Sequence, residues 1–75
     1  MVYIEVIDNG LSIILNCHKK TKDGDFFQLV IDAITYEVIE KPQDYDIDVS
    51  IAYAHIYELL KEGKPLPNNT VACWG

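Results

Sequence analysis

VYIEVIDNGLSIILNC, residues 2–17, sets two apolar-rich runs around an Asn-Gly pair. Such a pair between alternating strands is the strongest short-range hairpin signal, because both central residues of a type I′ turn need positive φ. With Asn9 and Gly10 as the loop, Asp8 faces Leu11, Val6 faces Ile13, Ile4 faces Leu15 and Val2 faces Cys17. Side chains alternate along a strand, so Val2, Ile4, Val6, Ile13, Leu15 and Cys17 fall on one face. All six are apolar, which marks that face as the core side. The opposite face carries Tyr3, Glu5, Ile7, Ser12, Ile14 and Asn16, and is greasier than a solvated surface needs.

Outward from this hairpin, Lys19, Lys20 and Lys22 lead into Asp23-Gly24 and read as a solvated turn. FFQLVIDAITYEVIE follows, rich in β-branched residues that suit a sheet. Asp32 is placed to make an Asx-type turn over Ala33-Ile34-Thr35, so the stretch divides into two strands. Phe27, Leu29 and Ile31 share a face, joined either by Tyr36 and Val38 or by Ile39. Locally this turn resembles the V-D-x-x-T hairpin of PepSY-type domains, a likeness that carries no function with it.

Past Pro42 the period changes. Val49, Ala52, Tyr53, Ile56, Leu59 and Leu60 recur at helical spacing, with His55, Glu58, Lys61 and Glu62 opposite or at the flank. Asp48 or Asp46 can cap the start, Gly63 suits a left-handed C-terminal cap, and Pro65 prevents continuation. The stiff KPLP connector then leads to TVACW, an alternating, β-prone segment.

The fold expected is α+β: an antiparallel four-stranded, possibly five-stranded, sheet with one helix packed on one face, in the order β-β-β-β-α(-β). Strands are predicted over residues 2–8, 11–19, 26–32 and 36–41, a helix over 48–62 and a C-terminal tail over 64–75. A chain of 75 residues is expected to form one domain.

Composition narrows the chemistry. Twelve acidic residues against six basic ones give a net charge of −6, and every basic residue is Lys. Without the planar fork of Arg, and with this sign of charge, nucleic acid is a poor partner. No apolar run reaches the roughly 20 residues that span a bilayer, and the N-terminal stretch lacks a leader pattern. A cytoplasmic protein with two reduced thiols, Cys17 and Cys73, is the expectation.

Candidate motifs resolve into structure. Asp44-Tyr45-Asp46-Ile47-Asp48 starts like a calcium loop, but Val49 stands where the turn needs Gly and His55 where it needs Glu. Cys17 and His18 are adjacent in a strand and point to opposite faces, so they cannot share a metal or act as nucleophile and base. Cys17, Cys73, His18 and His55 follow no zinc-ligand spacing. There is no G-x-S-x-G and no Gly-rich phosphate cradle. Neither an enzyme, a cofactor nor a metal is therefore expected.

What remains is an apolar surplus. Tyr3, Ile7, Ile14 and Val30 lie on a sheet face with no helix to cover it, and Val71 and Trp74 sit in the tail. Exposed apolar patches mark interfaces, and Tyr and Trp dominate their hot spots. These six residues are the interface candidates of an interaction module, with a homodimer or another protein as partner and Trp74 buried against sheet or seam. Two other readings survive. One is a small-molecule or metal-binding protein using Cys73, His55 and nearby Tyr. The other is an acidic inhibitor or antitoxin-like protein presenting Asp44, Asp46 and Asp48.

Overall fold

The computed structural model describes residues 1–19, 26–43 and 47–73. Within them lie β1 (Val2–Asp8), β2 (Ser12–Lys19), β3 (Phe26–Asp32), β4 (Val38–Glu40), α1 (Ile47–Lys61) and β5 (Asn69–Ala72). The strands form one antiparallel sheet in the order β4-β3-β2-β1-β5. The helix packs on one face, closest to β1 and β5, so the fold is α+β with the five-stranded form of the expected sheet.

The first hairpin keeps its predicted face and changes its predicted register. Val6 pairs Leu15, Ile4 pairs Cys17 and Val2 pairs Lys19, a slip of two residues along β2. The cause is the side chain of Asn9. Its Oδ1 accepts the N–H groups of Leu11 (3.0 Å) and Ser12 (2.8 Å), while Asp8 Oδ1 accepts that of Gly10 (2.9 Å). Among the loop residues, positive φ is confined to Gly10, at 88°. A type I′ turn would need it at both central positions. The loop therefore widens to residues 9–12, and β2 starts at Ser12 instead of Leu11. Because side chains alternate with period two, an even slip leaves all six core residues where the pattern placed them, and all are buried.

The second hairpin turns on Asp32. Its Oδ1 accepts the N–H groups of Ile34 (2.8 Å) and Thr35 (2.9 Å), the expected Asx geometry. Tyr36 then takes φ 66°, a left-handed conformation that costs a non-glycine residue free energy. That residue closes the turn, so the fourth strand shrinks from the predicted 36–41 to Val38–Glu40. Val38 pairs Ile31, with a bulge beside Val30, while Ile39 faces solvent. The choice between Tyr36 with Val38 and Ile39 is thereby made for the first pair, and both pack on the core.

Val49, Ala52 and Ile56 are the fully buried positions of α1, with Tyr53, Leu59 and Leu60 packed beside them. The helix starts at Ile47, so Asp48 lies in its first turn and is not its N-cap; Asp46 is outside the described residues. Its end is a Schellman motif. Gly63 at φ 70° donates to the Leu60 carbonyl (3.1 Å) and Lys64 to that of Leu59 (3.2 Å). The turn read at Lys20, Lys22 and Asp23-Gly24, and the candidate Trp74, also lie outside the described residues.

Two polar contacts fix the helix laterally. On one flank Tyr53 donates its hydroxyl to the Tyr36 carbonyl (2.8 Å), and Tyr36 and Tyr53 both meet the Tyr57 ring, at centroid distances of 6.4 and 5.7 Å. On the other, His55 Nε2 and Thr70 Oγ1 are hydrogen-bonded at 2.9 Å, tying α1 to β5. Tyr36, Tyr53 and Tyr57 thus serve the helix–turn contact. The apolar surplus left for an interface is smaller than the tyrosine content alone suggests.

Candidate functional site

The sheet face opposite α1 is crossed by no other described element. Cross-strand registers arrange it in rows. Val71, Tyr3, His18 and Phe26 stand side by side across β5, β1, β2 and β3. Next comes Asn69, Glu5, Asn16 and Gln28, then Ile7, Ile14 and Val30. An aromatic row and an aliphatic row therefore flank a polar one.

The polar row is a directed chain of hydrogen bonds. Gln28 Nε2 donates to Asn16 Oδ1 (2.8 Å), and Asn16 Nδ2 donates to Glu5 Oε1 (3.2 Å). Each amide is oriented by its neighbour, so the ladder holds three strands in register on the exposed face. It ends on a carboxylate beside Asn69.

The aromatic row is exposed where it counts. Tyr3 keeps 36% of its surface open, Val71 41%, Phe26 56% and, in the aliphatic row, Ile7 44%. Ile14 and Val30 are half-buried between them. Tyr3, Ile7, Ile14, Val30 and Val71, read from the sequence as interface candidates, are thus brought to one surface.

An open cleft of about 450 Å³ lies over the β1–β5 side of this face, lined by Tyr3, Glu5, His18, Asn69 and Val71 among others. The His18 ring tilts against Phe26 at 5.1 Å, and its Nδ1 is buried without a hydrogen-bond partner among the described residues. The cleft offers apolar walls, one carboxylate and an amide. His18, Glu5 and Asn69 were missed as site residues because the sequence does not say which strand β5 pairs with. Period-two alternation in β1 and β2 already placed Glu5 and Asn16 off the core.

The residues of the alternative ligand set take separate roles in the fold. His55 is engaged with Thr70 on the helix side of the sheet, and Cys73 is an exposed free thiol just past β5. No group of three or more His, Cys, Asp or Glu side chains among the described residues is placed to hold a metal ion. Cys17 is buried, and desolvation pushes its thiol up to about 12, which leaves it inert as a nucleophile at neutral pH. Of the acidic ridge, Asp48 is half-buried with Lys19 Nζ 3.9 Å from its carboxylate, while Asp44 and Asp46 are outside the described residues. No described helix is long and apolar enough to cross a membrane.

No protein-family model matches this chain, no curated protein matches its sequence and no solved structure matches its fold. The likeness of the second hairpin to PepSY-type domains accordingly stays a likeness of one turn.

Proposed function

We propose that the chain is a small interaction module that self-associates as a two-fold dimer through its uncovered sheet face and C-terminal strand. The observation that carries this reading is the pair of apolar rows on that face, Val71–Tyr3–His18–Phe26 and Ile7–Ile14–Val30. Across β5, β1, β2 and β3 the three rows hold one charged side chain, Glu5, with Glu40 ending the aliphatic row on the edge strand β4, on a chain whose net charge is −6. Depletion of charge at the centre of a patch is what distinguishes interfaces from ordinary surface. The five strands hold 29 residues, which at about 3.3 Å per residue and about 4.8 Å between strands cover roughly 460 Å² in projection. That is the order of the roughly 800 Å² per side of a standard interface. A second copy is the partner that needs no further chain, since an isologous contact uses the same patch twice.

In this reading the chain binds and does not catalyse, and it works without cofactor or metal. Its partner is protein, not nucleic acid or a bilayer. The acidic balance and the absence of Arg support this, and the two free thiols support a cytoplasmic setting. The paired variants Tyr3→Lys and Ile7→Lys test it, because both residues are exposed and neither supports the core. Each is expected to weaken self-association about tenfold or more, equivalent to about 1.4 kcal/mol, with an unchanged melting temperature when dilute. Self-association indifferent to both substitutions contradicts the face assignment.

The cleft beside β5 favours a second reading, binding of an amphipathic small molecule by Tyr3, Glu5, His18 and Val71. It predicts ligand-dependent stabilisation in a thermal-shift screen, lost in Glu5→Gln for a cationic ligand. The acidic-inhibitor reading predicts instead binding that collapses with salt, whereas an apolar face is nearly salt-indifferent.

A further inference from the structure

The two edges of the sheet are built differently. β4 is three residues long, bulged, and flanked by Glu37, Lys41 and Pro42. Short length, charge, bulge and proline are the devices that blunt an edge against pairing. β5 is also short, at four residues and with Pro67 before it, but it carries no bulge, and from Asn68 to Cys73 there is no charged residue and no proline. Its open groups can be named. Val6 donates to the Asn68 carbonyl at 2.8 Å, and the register continues Ile4↔Thr70 and Val2↔Ala72. Antiparallel ladders alternate, so Asn68, Thr70 and Ala72 turn their backbone groups toward β1. Asn69 and Val71 turn theirs outward, and no described residue pairs with them.

The strand is also held ready. Ala72 is buried in the core and Thr70 is bonded to His55, so its helix-side residues anchor it while its outer edge is free.

We propose that β5 pairs antiparallel with β5 of a second copy, joining the two sheets edge to edge. With the two-fold axis at Thr70, Asn69 of each chain meets Val71 of the other, and each such pair exchanges both N–H···O=C bonds. The segment is complementary to itself in this alignment, and it is an uncharged stretch of a chain with net charge −6. Within the sheet rows that meet at the seam, the like charges are the two Glu5 carboxylates, one strand further in on each side. They stand about three strand spacings apart across the sheet and about two residues apart along it, roughly 16 Å in all, beyond the Debye length of about 8 Å at physiological salt. In this alignment the Val71–Tyr3–His18–Phe26 row of each chain meets the Asn69–Glu5–Asn16–Gln28 row of the other across the seam. The inference rests on the self-association proposed above and moves its seam from the sheet face to the edge of the C-terminal strand; edge pairing leaves the face uncovered, so Tyr3→Lys and Ile7→Lys, which test the face, leave this seam intact.

Amide hydrogen exchange on the full chain, in dilute and concentrated samples, tests it alongside native mass. The expected result is a two-chain mass with the Asn69 and Val71 amides slowed about tenfold or more on concentration. Val71→Pro should return the mass to one chain, because it removes an outward N–H that β1 does not use. The Ile4 and Val6 amides report whether β5 stays docked in that variant. A two-chain mass with Asn69 and Val71 exchanging as in dilute protein overturns the edge pairing and leaves self-association standing. A one-chain mass at every concentration overturns both.

Discussion

Cys17 and Cys73 show how one residue type takes opposite roles from position alone. Strand alternation places Cys17 on the core face, where it is a small hydrophobe, and that much is legible from the sequence. The exposure of Cys73 is not, because it depends on where β5 docks. Alkylation of dilute native protein should label Cys73 and spare Cys17, with the second label appearing only in denaturant; prompt native labelling of Cys17 would contradict its burial. Asp32 is the other residue with a distinct electrostatic signature. Backbone N–H groups of Thr35 and Ile34 hold its carboxyl below the usual carboxylate range. A depressed folded-state pKa adds stability above the ordinary carboxylate pKa and loses it as pH falls through the folded value. Asp32→Asn keeps the oxygen acceptor and removes the charge. It should melt below the parent at neutral pH, the gap closing below about pH 4 as the parent's carboxyl takes up its proton. A gap that is constant with pH would show that the charge contributes nothing.

At the scale of elements, local chemistry was readable and partner choice was not. The Asx turn at Asp32 and the glycine cap at Gly63 are each set by a few neighbouring residues, and both stand where the residue types placed them. The Asn-Gly signal gave the right hairpin with the wrong register, since a side-chain oxygen that bonds forward can widen the loop. β5 spans four residues, too few for periodicity to choose a neighbour, so its place beside β1 and the cleft it forms were hidden. The tyrosine contacts were equally hidden, because they exist only once the helix is docked. They can be tested singly. Tyr53→Phe removes the hydroxyl that satisfies the carbonyl of left-handed Tyr36. It should cost about 1 kcal/mol in denaturant unfolding. An unchanged midpoint would mean the helix is held by burial alone.

The molecule as a whole is asymmetric across its sheet. One face is sealed by α1 over a core with no buried polar or charged residue among those described. The other carries two apolar rows and an amide ladder in the open. For a chain of 75 residues, marginal stability is the expectation, and burying a second face is a direct way to add to it. This asymmetry makes self-association the central claim. Sedimentation equilibrium of the unmodified protein across about three decades of concentration, at low and high salt, tests it most directly. A two-chain mass that persists at high salt is the predicted result; a one-chain mass throughout would contradict it.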